Sequence, residues 1–273
     1  MWRGIFLPRM RSKNCFNNGF VLLDKPSGFT SASALAAVQR ALGKPKAGHL
    51  GTLDPLATGL LPLAMGRGCK LVPYLNTLDK EYEFTIFFGV GTASDDGETL
   101  AQTSRHRVLS LADIEAAVAQ FNGVTYLQKP PVFSALKMGG VAAHVLARDG
   151  KTPDLAPRPQ TIHNLSLKEK HTSTCYSFTV HCNTGTYVRS LARDIAAALD
   201  TVGYVSQLRR TAVGGWRVEK AVAFQEVAAY KIHVAPIWML PLSRVLDDIP
   251  ALRGNTAVQR IIDGGLDVAH SCS

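Results

Sequence analysis

GHLGTLDPLATGLL, residues 48–61, poses the first question of this chain. One carboxylate, Asp54, stands in a run that otherwise reads as buried and sharply turned. Leu50, Leu53, Leu56, Leu60 and Leu61 are apolar, Gly48, Gly51 and Gly59 let the backbone bend, and Pro55 and Pro62 stiffen it. Pro55 fixes its own φ and restricts Asp54 to extended geometry. An Asp before Pro in a glycine-rich loop is commonly a turn or cap residue. The sharper reading is a carboxylate presented from a braced loop, anchored by the leucines and free to act as nucleophile or base.

The segments around this run alternate between strands and helices without a regular period. GFVLLDKPSG (19–28) reads as a buried strand ended by a Pro-Ser-Gly turn. SASALAAVQRALG predicts a helix capped by Ser31 or Ser33, with Leu35, Val38 and Leu42 on one face and Gly43 as its stop. KPKAGHLGTLDPLATG reads as a long loop. EYEFTIFFGV (81–90) alternates Tyr82, Phe84, Ile86, Phe88 and Val90, a strand pattern, and GTASDDGE (91–98) is a turn-rich loop. Ser110 and Asp113 form a capping box ahead of the helix LADIEAAVAQFNG. TIHNLSLKEK and STCYSFTVHC read as two strands. GTYVRSLARDIAAALD turns into a helix lined by Leu191, Ile195 and Leu199, and SQLRRTAVGGWRV reads as a strand with a Gly-Gly interruption. Adjacent strands with helices inserted indicate an α+β fold rather than a βαβ repeat.

Composition narrows the function classes. Among 273 residues, 46% are hydrophobic and 19% charged, as in a folded globular chain. No apolar run approaches membrane-span length, so no membrane association is expected. Thirty Lys and Arg against 21 acidic residues give a net charge of +9, which points to a polyanionic partner, nucleic acid first. The five cysteines, an odd number with no C-x-x-C pair, suggest a reducing compartment without disulfides or a zinc cluster. Residues 1–18 are basic and hold no acidic residue. They read as a start-site extension or a disordered arm, with an organellar transit segment as the alternative.

Short motif matches elsewhere are discarded. Asp54 with Thr58 suggests an aspartyl-phosphate enzyme, but Leu56 occupies the position of that class's second Asp. Ser134–Lys137 matches S-x-x-K without its companion motifs, and GVGTASDDG fails the G-x-G-x-x-G spacing.

GHLGTLDPLATGLL, with LLDKPSGFTS upstream, closely resembles the TruB family of tRNA pseudouridine-55 synthases. The resemblance continues in order through DKEYEFTIFFGVGTASDDGE, QKPPVFSALKMGG, GTYVRSLARDIAAAL and QLRRTAVGGW, covering roughly residues 19–216. It implies a pseudouridine-synthase-like core with a central mixed, mostly antiparallel sheet flanked by helices and loops. It also implies a catalytic domain over 19–233, after the basic extension 1–18 and before a C-terminal segment, 234–273, that matches only the opening of a PUA-like RNA-binding module.

The family's roles fall on individual positions. Asp54 takes the place of the catalytic aspartate and Arg189 that of the arginine paired with it; the plainer reading of Arg189 is a phosphate contact at a helix start. His49 falls on the histidine that helps extrude the target nucleotide, or is a loop hydrogen-bonder. Tyr82 falls on the aromatic that stacks on the flipped base, or is an inward strand residue on the Phe84/Ile86 face. Tyr187 and Leu208 fall on substrate-pocket positions, and Lys25 on a basic position near the site, or is a solvated turn lysine.

The implied reaction breaks the uridine N1–C1′ bond, turns the uracil and rejoins it through C5. It needs no metal, redox cofactor or ATP. Base flipping costs a few kcal/mol of stacking, returned in part by an aromatic platform. Attack by Asp54 at C1′, attack at C6 and proton removal at C2′ through a glycal all stay open. The expected partner is the T-arm stem-loop of tRNA, with uridine 55 as target, no obligate protein partner, a monomeric state and a cytoplasmic location. The competing reading is a non-catalytic tRNA-binding or folding chaperone on the same scaffold.

Overall fold

The computed structural model describes residues 18–134, 136–151, 153–230 and 236–270. The basic extension up to residue 17 and the expected domain boundary at 233/234 lie outside the described residues.

The strands are β1 (Gly19–Lys25), β2 (Ala47–His49), β3 (Thr58–Met65), β4 (Lys80–Phe88), β5 (Val90–Thr92), β6 (Ala101–Ser104), β7 (Val124–Gln128), β8 (Lys137–Met138), β9 (Val141–Ala142), β10 (Arg158–Lys170), β11 (Cys175–Cys182), β12 (Gly203–Val213), β13 (Trp216–Arg217), β14 (Val222–Ala223) and β15 (Met239–Leu240). The helices are α1 (Ser31–Ala41), α2 (Val72–Leu75), α3 (Leu111–Ala119), α4 (Ala143–Arg148), α5 (Val188–Ala198), α6 (Phe224–Ala229), α7 (Arg244–Asp248) and α8 (Thr256–His270). The main sheet runs β14-β1-β3-β12-β4-β11-β10-β7, with β2, β13 and β15 pairing off this path. Among the strand pairs of the described residues only β1–β14 and β3–β12 are parallel, so the mixed, mostly antiparallel sheet of an α+β fold is present as expected.

The sheet is buried to different degrees along its width. β1 is covered on both faces. Val21 and Leu23 join one apolar cluster with Val38, Phe84, Leu191 and Ile195, while Phe20 and Leu22 join a second around Leu60, Trp216, Val245 and Ile262. A strand covered on both sides reads as a continuous apolar run, which is why FVLL shows no alternation. In β11 the pattern is strict: Tyr176, Phe178, Val180 and Cys182 are buried and the residues between them are only half-buried. The segment beyond Pro236 closes the second cluster. β15 adds to β1, and Val245, Ile249, Val258 and Ile262 pack beneath Trp216, whose indole N–H donates to Asp248 at 3.2 Å.

Three local readings change. The cap of α1 is Thr30, whose side chain accepts from the Ser33 N–H at 3.0 Å, and not Ser31 or Ser33. The Ser31 hydroxyl is committed elsewhere, because it binds both the N–H and the C=O of Leu53. The Gly-Gly interruption is a tight hairpin: β12 turns at Gly214 (φ +53°) into antiparallel β13. Gly215 is needed there because a Cβ would lie 1.8 Å from the Asp248 carbonyl oxygen. The loop before Asp54 contains β2, a short strand paired to β3.

Candidate active site

The loop carrying Asp54 is clamped on both sides. Before it, the Leu53 backbone is held by Ser31 at 2.8 and 3.0 Å. After it, the Pro55 carbonyl accepts from the Gly28 N–H at 2.8 Å and from Lys25 Nζ at 3.3 Å. The Leu56 N–H donates to Glu98 at 3.0 Å. Ala57 N–H returns to the Asp54 carbonyl at 3.1 Å, closing a turn with Pro55 at its favoured second position. Leu50, Leu53, Ala57, Leu60 and Leu61 are buried. Gly59 (φ +99°) crosses β12 so closely that a Cβ would meet the Arg210 carbonyl oxygen at 2.3 Å.

Arg189 arrives from the first turn of α5. The start of that helix is fixed by Gln128, which accepts from the Tyr187 N–H at 2.8 Å and donates to its carbonyl at 3.2 Å. The guanidinium grips both Asp54 oxygens, Nε to Oδ2 at 2.9 Å and Nη2 to Oδ1 at 3.0 Å. Its other donors go to the carbonyls of Ser94 and Phe133, each at 3.0 Å, and it lies 3.4 Å from Asp96. The arginine side chain is 5% exposed, while Asp54 keeps 30% of its side chain at the surface. The carboxylate is therefore oriented from behind and reachable from the front. Burial raises the Asp54 carboxyl above the ordinary aspartate value; Arg189 opposes this, Asp96 adds to it, and Lys25 opposes it.

The remaining expected positions divide. Lys25 is not a solvated lysine: it is fully buried, and its ammonium donates to the carbonyls of Pro26 (2.9 Å), Phe29 (2.6 Å) and Pro55. Desolvation lowers it to about 8, with Asp54 and Glu98 pulling the other way. The lysine thus ties the DKPSG turn to the Asp54 loop. Tyr187 lies in the field of Arg189 and Asp54, its hydroxyl raised by burial and bonded to Ser134. Tyr82 is 8% exposed on the Phe84/Ile86 face, and its hydroxyl meets Arg210. His49 closes β2, with burial and Arg210 favouring its neutral form; its Nδ1 has no hydrogen-bond partner among the described residues. Leu208 is buried in β12 and, with Ser27, Leu56 and Thr58, lines a cavity of about 520 Å³. Neither Asp54 nor Arg189 contributes to that wall, although Leu56 and Thr58 of the same loop do.

Two further contributors stand outside the positions expected from the sequence. Asp96, read as part of a turn, is 1% exposed and accepts from the Ser94 hydroxyl at 2.5 Å and the Glu98 N–H at 3.0 Å while facing Arg189. Arg210, next to the surface-facing Arg209, is 1% exposed and donates to the carbonyls of Leu60 (2.7 Å) and Gly51 (3.1 Å). The period-2 alternation of β12 sends one arginine of the pair inward, a signal available in the sequence.

Comparison with known proteins gives the family. The profile of a family described as "TruB family pseudouridylate synthase (N terminal domain)" matches residues 39–188. A second, described as "tRNA pseudouridylate synthase B C-terminal domain", matches residues 189–248. The chain is 43% identical over 246 residues to a protein of Caulobacter vibrioides named tRNA pseudouridine synthase B, covering 89% of this chain and 78% of that one. The protein of the same name from Gluconacetobacter diazotrophicus is 42% identical over 238 residues, covering 86% and 77%. Among solved structures, a chain of a Cbf5-Nop10-Gar1 complex matches with a TM-score of 0.62 at 27% identity, over 79% of this chain and 55% of that chain. The chain thus spans about half the length of that structural relative.

Proposed function

This chain belongs to the TruB family of pseudouridylate synthases, and we propose that it converts uridine 55 in the T-loop of tRNA to pseudouridine with Asp54 as the catalytic carboxylate. One observation carries the reading: Asp54 is gripped on both oxygens by a buried arginine while a third of its side chain still faces solvent. A bidentate, charge-assisted pair opposes the effect of burial on the carboxylate and aims it. Asp96 and Lys25, almost or wholly buried, cannot touch an RNA base directly. Arg189 and Lys25 act as positioning residues, through Asp54 itself and through the Pro55 carbonyl.

The remaining roles follow the family resemblance. The target base leaves its stack and enters beside Asp54, with Tyr82 as platform and with Tyr187, Leu208 and His49 lining its approach. Attack at C1′, attack at C6 and the glycal route each require one reachable, oriented carboxylate, which is what the loop supplies. The net charge of +9 serves the phosphate backbone of the T-arm, whose splayed loop bases suit single-strand recognition. The chain acts as a monomer in the cytoplasm with RNA as its partner, and no helix among the described residues is long and apolar enough to cross a membrane.

T-arm RNA carrying tritium at uracil C5 tests the assignment. Wild type releases label to water as C5 is rejoined to the ribose. Asp54→Asn releases it about 10⁴-fold more slowly or worse while still binding RNA. Release by the variant at the wild-type rate sinks the role of Asp54. A folded wild type that binds RNA and releases nothing supports the non-catalytic binder instead.

A further inference from the structure

Away from Asp54, three neighbouring elements bring together groups that the proposed isomerisation does not use. Asp79 immediately precedes β4, His181 lies on β11 and His163 on β10, and these three strands are adjacent in the main sheet. His163 Nε2 stands 3.2 Å from Asp79 Oδ2, and His181 Nε2 stands 3.9 Å from the same oxygen. The two imidazoles are 4.7 Å apart, and one ligand atom from each of the three residues falls within 4.8 Å of the others.

The placement has a local cause. The β10–β11 register shifts between Ile162 and Asn164, so His163 is the extra residue of a bulge, a device that re-aims a side chain. Asp79 is fixed through its carbonyl, which accepts from the Gly214 N–H at 2.9 Å. Its neighbour Lys80 turns inward and gives its ammonium to the carbonyls of Asn76 and Leu78 and to Thr184. Among the described residues, the ion-pair partners of Asp79 are the two histidines alone.

We propose that Asp79, His163 and His181 bind a divalent transition ion of the zinc class, with water completing the coordination. Two imidazoles and one carboxylate are a borderline donor set that suits Zn²⁺ and not the all-oxygen shells of Mg²⁺ or Ca²⁺. Zinc bonds of about 2.0–2.1 Å at tetrahedral angles place donors about 3.3–3.4 Å apart. One of the two Asp79 distances is already there and the other needs a contraction of about 0.5 Å. All three side chains are partly exposed, so an ion enters without unfolding, and once bound it pins β4, β11 and β10 together. None of the three touches Asp54 or Arg189 in this structure, so the site stands apart from the isomerisation chemistry.

The test uses tag-free, chelator-stripped full-length protein titrated with ZnCl₂ and, separately, MgCl₂ by calorimetry. One Zn²⁺ binds per chain, and Mg²⁺ does not. His163→Ala and His181→Ala each weaken Zn²⁺ binding about tenfold or more. Zn²⁺ at ten times its Kd raises the wild-type Tm by about 3 °C, and the shift is absent in the double variant. Metal-free melting curves of the variants establish that they fold. The proposal is overturned if no stoichiometric Zn²⁺ binds, or if the folded double variant binds as tightly as wild type, which places the ion on other groups such as Cys69. None of these readouts involves RNA, so a failure here is separate from a failure of the uridine reading.

Discussion

Arg189 with Asp54 and Arg209 with Asp24 are both two-pronged pairs, and both carboxylates are about equally exposed, at 30% and 32%. Arg209 reaches Asp24 at 3.0 and 2.8 Å, as good a fork as that on Asp54. The arginines differ. Arg209 is 39% exposed and Arg189 is 5% exposed. Arg189 also satisfies two backbone carbonyls and faces Asp96, whereas the further side-chain contact of Arg209 is a long one to Thr58 at 3.4 Å. A fork alone therefore does not mark a site. What marks it is a desolvated cation with every donor used, holding a carboxylate that the solvent side can still reach.

The largest expected break in this comparison is Arg189→Met. It strands buried Asp96 and half-buried Asp54 without their cation, and losing one partner of a buried charge pair costs about 3–5 kcal/mol. The melting temperature should fall by about 10 °C, and tritium release should fall with it. A melting point within a degree of wild type contradicts the central place given to Arg189.

A pH profile of label release sharpens the same contrast. Because burial raises Asp54, its ionised form, and with it the rate, should be lost on the acid side at a midpoint above the 3.8 of an ordinary aspartate. Asp96→Asn removes a like charge that pushes Asp54 upward, so the midpoint should move down toward 3.8. A midpoint that stays put shows that Asp96 exerts no field on Asp54. The smallest effect belongs to Asp24→Asn, measured by urea unfolding. A pair this exposed is worth about 0–1 kcal/mol, and label release should be unchanged. A cost equal to that of Arg189→Met abolishes the distinction between the two pairs.

Much of the fold was legible because its signals are local. The alternation of β4 and β11, the capping box at Ser110 and the Leu191/Ile195 face of α5 each depend on residues within a few positions of one another. The readings that failed depended on a distant partner. Ser31 looked like a cap until Leu53 claimed its hydroxyl. For Lys25, read as a basic position near the site, the alternative of a solvated lysine fell only when the carbonyls of Phe29 and Pro55 closed around it. Asp96 looked like a turn residue because nothing near it in sequence shows that an arginine 93 positions later comes within 3.4 Å.

By itself, the sequence determined how the loop around Asp54 is built. Pro55 restricts Asp54, Gly59 permits the close crossing of β12, and the leucines supply the anchors, all through covalent geometry and side-chain type. It also determined the basic balance that suits a polyanion. Only the tertiary structure decided what those groups face. The Arg189 fork, the burial of Lys25 and Arg210, the second apolar cluster beneath Trp216 and the meeting of Asp79 with two histidines join residues scattered along the chain. Charge and hydrogen-bond energies depend on distance and desolvation, and those quantities exist only once the sheet has brought the strands together.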